Sequence, residues 1–518
     1  MQNEVPEGSP AAPDAPTAPD APARASRLSR FRAAILSNKL FTLALAAGAI
    51  VRLITVLGYP GLLVFQGDTY VYIGAALRLQ PNLSKTTGYS LYLKALEPLH
   101  SFTLVMITQH LMGLAMALML YALLRRARVR AWIATLATVP ILFNGFEIQL
   151  EHMVMADLLF EFCMFAAATL LLWNRRPSWR NVLLAGLVTG FACTVWSGGL
   201  LLPVIFFLAV LWRRLGWRSL AAIVVGCAVP ILSYAIWFHA IWGNFALTNS
   251  EGFYLYGRVS SFADCAKIDP PADLRYLCIK TPIADRAPPG SLVWHLNQVH
   301  EVPGGPVSPE GNKVLRDFAL DTMKAQPLAY AHAIVKGIVL SVDWKRYDYP
   351  SAGTVYDYYF HTKPIWVPPH HTWIKGGTAS QDIRAYGRQG LGRTVKPFDQ
   401  LMAGYQRIFY LYGPLFGVIL FIGLGSLIRV YRRNGRFRLG RWRDGPSKMP
   451  FVCALVLLVF PIMVADFDYR YVLPVVPFAC LAAGLAFASP AARRGPGEDP
   501  SPEGAEADLP NRTEVTTP

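Results

Sequence analysis

The chain is 518 residues long, 53% hydrophobic and only 16% charged. That composition excludes an ordinary soluble enzyme of this size and leaves room for several apolar stretches of the ~20 residues that a bilayer requires. The net charge of +16 would suggest nucleic acid in a soluble protein, but here the basic residues cluster between apolar stretches, where membrane topology accounts for them.

Residues 1–40 contain "EGSPAAPDAPTAPDAPARAS", a Pro/Ala/Asp-rich stretch without apolar periodicity, followed by the basic "RASRLSRFRAAILSNK". Such a stretch cannot bury a core, and the sequence reads as a disordered cytoplasmic tail with a basic flank rather than a signal peptide. Ten apolar stretches follow, and we read them as spans: Phe41–Leu57, Phe102–Leu124, Ala131–Phe146, Val154–Trp173, Val182–Val195, Gly198–Trp212, Leu220–Trp242, Phe409–Ile428, Pro450–Ala465 and Tyr471–Phe487. The fold class expected is therefore an all-α polytopic membrane protein. Its organisation divides into an N-terminal transmembrane module (41–242), an extracytoplasmic loop region (243–408), a C-terminal transmembrane module (409–490) and a second disordered cytoplasmic tail (491–518).

Basic connections alternate along the chain: Arg125–Arg130, Asn174–Arg180, Arg213–Arg218 and Arg429–Arg443 all fall on the side of the N-terminal flank. Positive charge marks the cytoplasmic face. Both tails are then inside, and the connections at 58–101, 144–153 and 243–408 are outside. The last is long enough to carry function or a small fold of its own. Within it, 312–342 has apolar residues at helical spacing, but Lys324, His332 and Lys336 argue against a clean span. We read one or two helices lying at the interface or packed on the bundle.

The cysteines divide by setting. Cys163, Cys193, Cys227, Cys453 and Cys480 lie in apolar stretches as core residues. Cys265 and Cys278 share one polar loop. If that loop faces the oxidising exterior, the pair is a candidate disulfide.

Ionisable residues inside a membrane are costly and usually functional. Arg52 is the main one, read either as snorkelling to the interface or as a cation held near Asp68 or a bound phosphate. Gln109 and His110 read as interhelical hydrogen-bonding groups. Acids collect instead on the outer side. Asp68 stands in "FQGDTYVYI" just past the first stretch. Glu147, Glu151, His152 and Asp157 surround the start of the fourth. Asp157 either caps that helix, since acids favour helix N-termini, or faces Asp68 as a second acid. Lys85, in "SKTTGYSLYLKAL", is a point cation suited to phosphate. Arg258, and Arg470 in "ADFDYRYVLPVVPF", add cations at the outer ends of their segments, and Gly88 permits a turn before an amphipathic helix.

In this order and sidedness, four short motifs resemble the GT-C glycosyltransferases, which use polyprenyl-phosphate sugars; the protein mannosyltransferase and aminoarabinose transferase branches are the nearest named relatives. The motifs are Gly67-Asp68 with Tyr72, Gly88-Tyr89 with Tyr92, Asp157 at the start of the fourth stretch, and Arg470-Tyr471 with Pro474 and Pro477. Asp68 is followed by Thr69, where the protein mannosyltransferases carry Asp-Glu. The long loop with Cys265 and Cys278 resembles bacterial, actinobacterial members.

The resemblance implies a GT-C-like bundle of about ten transmembrane helices. It implies an inverting transfer of a sugar from a polyprenyl-phosphate donor to a cell-envelope glycan, glycolipid or protein hydroxyl outside the cytoplasm, with no nucleic acid involved. Asp68 would be the base. Lys85, Arg470, Arg52 and Arg258 would bind the donor phosphate. Asp157, Glu151, Tyr72 and Tyr89 would form the acceptor side, and Asp157 with Glu151 could hold a divalent metal. His152, His370 and His371 are weaker ligand candidates. The competing readings are a flippase or transporter of a lipid-linked saccharide, whose polar path would be Arg52, Gln109 and His110, and a non-catalytic membrane scaffold.

Overall fold

The structure is a computed structural model and describes residues 38–363, 374–388, 392–433 and 447–488. Both tails, His370, His371 and the greater part of the fourth basic connection lie outside the described residues. Among the described residues the protein is all-α, with only two isolated bridges, Leu63 to Met153 and Ile374 to Gly377.

All ten apolar stretches coincide with helices. In chain order the longer helices are α1 (Lys39–Gly58), α2 (Gln66–Arg78), α3 (Gly88–Leu96), α4 (Phe102–Arg126), α5 (Ala131–Phe143), α6 (Gly145–Glu151), α7 (Ala156–Trp173), α8 (Trp179–Val195), α9 (Leu202–Trp212) and α10 (Trp217–Trp242). After them come α11 (Glu251–Ser260), α12 (Pro309–Ala325), α13 (Pro327–Val342), α14 (Ala379–Gly387), α15 (Phe398–Ile408), α16 (Gly413–Arg433), α17 (Lys448–Val464) and α18 (Val476–Leu485). A 3-10 turn, Tyr469–Val475, leads into α18. α1, α4, α7 and α10 are each long and apolar enough to cross a bilayer alone. α5 with α6, α12 with α13, and α15 with α16 qualify only as bent pairs. The protein is a multi-pass membrane protein, and its outward leucines and valines are what lipid-facing helices present.

The two ends of the bundle differ in chemistry. Arg126 donates to the Trp173 carbonyl and, at 2.7 Å, to Asn174 Oδ1, while Arg213 donates to the carbonyls of Leu171, Asn174 and Arg175. Three basic connections therefore meet on one end. α1 starts there, since Tyr121 donates to Asn38 Oδ1, and delivers the chain to the opposite end, where α2, α3 and the 144–154 segment lie.

The 243–408 region carries a small core of its own around Phe253, Tyr256, Leu277, Val293, Leu315 and Phe318. Cys265 and Cys278 form a disulfide beside it. The 312–342 pattern resolves into two helices bent by 100° at Gln326-Pro327. A proline opening the second helix supplies no N–H, which suits a first helical position and forbids continuation of the previous helix. α12 packs on α11, whereas α13 is apolar and packs on α16 and α17.

Candidate functional site

Asp68 sits in the first turn of α2, where the free N–H groups of a helix favour an acid. Thr69, the residue after it, is a clamp: its Oγ1 accepts from the Phe65 amide at 2.9 Å and donates to the Val154 carbonyl at 3.2 Å. That pins the start of α2 to the segment entering α7.

Lys85 is placed by an Asx-type turn. Asn82 Oδ1 accepts from the Ser84 amide, the Ser84 hydroxyl and the Lys85 amide at 2.8, 2.7 and 3.1 Å. The turn is anchored beyond itself, because Thr86 donates to the Val195 carbonyl and the Thr87 amide donates to Tyr234. Gly88, expected as a turn residue, opens α3 and serves close packing: a Cβ there would lie 2.6 Å from the Thr194 carbonyl.

Arg470 is aimed by Asp468, which caps the 3-10 turn by accepting the Arg470 amide at 3.1 Å and the Tyr358 hydroxyl at 2.5 Å. The guanidinium lies over the rings of Phe65 and Tyr471 at 4.9 and 5.3 Å.

These three devices converge. Lys85 Nζ lies 2.9 Å from Asp68 Oδ1, and Arg470 Nη1 lies 3.0 Å from Asp68 Oδ2. Both carboxylate oxygens are thus taken by different cations. Burial alone would raise the Asp68 pKa, but Lys85 and Arg470 outweigh it and hold the carboxyl below its ordinary value. Burial disfavours the Lys85 ammonium, yet its pKa is raised because Asp68 opposes it. Asp157 and Asp468 lie within Coulombic range of Arg470, and Tyr72 feels Asp68, Lys85, Asp157 and Arg470. Asp68, Lys85, Arg470, Asp157 and Tyr72 therefore form one constellation at the end opposite the basic connections.

Other expected members lie elsewhere. Arg52 is 3% exposed, and all five of its N–H groups are engaged: by Glu151 at 2.8 and 2.5 Å and by the carbonyls of Gly48, Ile141 and Leu142. No donor remains for a phosphate, which corrects both readings of this residue. Glu151 also accepts from His110 at 2.6 Å, and His110 joins His152, which reaches the Tyr59 carbonyl. Tyr89 donates to Gln109, whose amide bonds the Glu151 and Met153 carbonyls. Glu151 and Tyr89 thus belong to a buried lock joining α1, α4 and α6, and Arg52, Gln109 and His110, the residues of the polar path considered for a flippase, all bond within it. Gly113 makes room for the lock, since a Cβ there would lie 2.0 Å from Glu151 Oε1. The linear pattern missed this because no helical spacing shows that residues 52, 110 and 151 meet.

Asp157 and Glu151 share no ligand set, and among the described residues no group of three or more His, Cys, Asp or Glu forms a metal site. Glu147 lies instead against Glu161. Arg258 pairs with Asp466 at 3.3 Å rather than with Asp68, and its Nε and Nη2 are buried without partners. Asp466 also accepts from Tyr349 at 2.6 Å and from the Gly290 amide at 2.8 Å.

No family model matches the chain, and no curated protein matches it. Several solved structures are similar in part, three of which follow. The Saccharomyces cerevisiae protein O-mannosyltransferase complex bound to the sugar donor is 16% identical at a TM-score of 0.31, over 43% of this chain and 36% of that one. The Archaeoglobus fulgidus oligosaccharyltransferase in the apo form is 11% identical at 0.40, over 86% and 50%. ArnT from Cupriavidus metallidurans bound to undecaprenyl phosphate is 14% identical at 0.29, over 87% and 78%. The chain thus spans about a third to a half of the first two. Similarities of this size carry no argument about family or activity.

Proposed function

We propose that the protein is a membrane glycosyltransferase that moves a sugar from a polyprenyl-phosphate donor to an acceptor hydroxyl on the extracytoplasmic side. The observation that carries the reading is Asp68, whose two carboxylate oxygens are each bridged by a cation from a distant segment in a membrane-embedded bundle. A lipid phosphate is a stable anion and leaves without an acid's help. The reaction then needs a base for the acceptor and positive charge for the departing phosphate.

Lys85 and Arg470 turn from Asp68 to the donor phosphate, which frees the carboxylate. Asp68 takes the proton of the acceptor hydroxyl as the acceptor oxygen bonds the anomeric carbon. The bond from that carbon to the phosphate oxygen breaks on the opposite face, and the electron pair leaves with the lipid phosphate. A single displacement of this kind inverts the anomeric centre, as in the base half of an inverting glycosidase. Asp157 and Tyr72 orient the acceptor from the same constellation. Both tails and the basic connections are cytoplasmic in this reading.

The test is transfer in membranes with a polyprenyl-phosphate sugar, backed by mass spectrometry of envelope glycans with and without the gene. Asp68→Asn inserts normally and loses transfer. Undiminished transfer by that variant removes Asp68 from the base role. Translocation of the lipid-linked sugar without transfer moves the protein to the flippase class.

A further inference from the structure

A second anion-competent feature lies apart from Asp68. A small, open groove runs between the end of α13 and the start of α16, with Leu340, Trp344, Tyr410, Phe416 and Leu473 in its walls and Arg346 among them. The guanidinium of Arg346 stands over three rings at once, Phe146 at 4.6 Å, Tyr410 at 5.0 Å and Tyr469 at 5.3 Å. Aromatic faces attract a cation without neutralising it. Its polar neighbour is the Tyr359 hydroxyl, and among the described residues no carboxylate pairs with it. Burial among these rings pushes its pKa down, a cost that an anion in the groove would remove. Asp343 also lines the groove, but its Oδ1 accepts the Lys345 amide at 3.2 Å. Asp343 and Arg346 are the two charged residues of the lining.

The surroundings say what kind of anion fits. α13 and α16, which flank the groove, turn apolar side chains outward: Leu328 is 85% exposed and Phe421 74%, with Val335, Val339, Leu415 and Val418 also exposed. Trp344, itself exposed, and Tyr410 each pack on Tyr412. Such a ring of Trp and Tyr marks headgroup depth in a bilayer. A soluble phosphate would gain nothing from the apolar walls, whereas a lipid meets the cation with its headgroup and the walls with its chain. Phe146, under Arg346, packs edge to face on Tyr358 at 4.9 Å, and Tyr358 donates to Asp468; among the described residues no ion pair joins Arg346 to Asp68, Asp157 or Asp468.

We propose that this groove binds one anionic bilayer phospholipid, with its phosphodiester on Arg346 and an acyl chain along α13 and α16. The inference is independent of the role given to Asp68. It is tested by native mass spectrometry of the full chain in detergent, titrated with dioleoylphosphatidylglycerol, dioleoylglycerol, undecaprenyl phosphate or inorganic phosphate. The expected result is one phosphatidylglycerol retained per chain and no comparable retention of dioleoylglycerol. Arg346→Gln weakens that retention about tenfold to a hundredfold, the loss typical of a charge-assisted contact. Equal retention of dioleoylglycerol by the wild-type protein overturns the proposal whether or not the variant folds. So does unchanged retention by Arg346→Gln. Displacement by inorganic phosphate makes the site a free-anion site, and displacement by stoichiometric undecaprenyl phosphate makes it part of the donor path; either result overturns the assignment.

Discussion

Arg52 and Glu151 form a buried two-point ion pair, with Nε at 2.8 Å from one carboxylate oxygen and Nη2 at 2.5 Å from the other. It ties the first long helix to the bent segment between α5 and α7. Removing one partner leaves the other charge buried and alone, which costs about 3–5 kcal/mol. Arg52→Met and Glu151→Met are each expected to lower the thermal midpoint of the purified protein strongly. The double variant recovers part of the loss because it leaves no orphaned charge. A double variant as unstable as the sum of the singles contradicts this account.

At the Asp68 constellation the expected losses are in rate, not in folding. Asp68→Asn should lower transfer by about 10²–10⁴-fold, the range for loss of a positioned base. Lys85→Ala and Arg470→Ala should each cost about 10²–10³-fold, as removal of one charge-stabilising donor does. Transfer assays on equal amounts of inserted protein check this. Arg258→Gln should disturb the Asp466 segment more than the chemistry, with donor KM changing less than in Lys85→Ala.

The resting ion pairs make a pH prediction. The Asp68 pKa is depressed in the resting site, so the stabilisation from its pairs is present above the ordinary carboxylate pKa and is lost as pH falls through the depressed value. If the donor phosphate draws Lys85 and Arg470 away, the same carboxyl rises in the complex. The acid limb of kcat, which reports the complex, should then lie at higher pH than the acid limb of kcat/KM, which reports the free protein. Coincident limbs would mean that the cations stay on Asp68 throughout.

The disulfide between Cys265 and Cys278 closes a 13-residue separation in the outer region. Removing a cross-link over a loop of this size costs about 3 kcal/mol. The double serine variant should open the 243–363 segment to limited proteolysis while cleavage within the transmembrane helices stays unchanged.

Much of the fold was legible because membrane spans announce themselves by composition, and all ten apolar stretches coincide with helices. Asp68, Lys85 and Arg470 were legible as types at suitable places, since each ends an apolar stretch or sits in a loop beside one. Their meeting was not legible, because it depends on the Asn82 turn and the Asp468 cap. Arg52 was misread because a lone arginine in an apolar helix looks the same whether it faces a phosphate or Glu151. α13, read as a helix at the interface or packed on the bundle, packs on α16 and α17; what the sequence did not show is the 100° bend that parts it from α12. Arg346 went unnoticed because its surroundings come from residues 146, 410 and 469, which no local motif joins.

Arg470 stands 402 residues beyond the acid that it grips, on the turn that introduces α18. During biosynthesis most of the helices are made before that arginine exists. A chain halted before this turn would carry Asp68 and Lys85 but lack their third partner. The charge arrangement of the constellation therefore comes into being only once that turn has been threaded into the bundle.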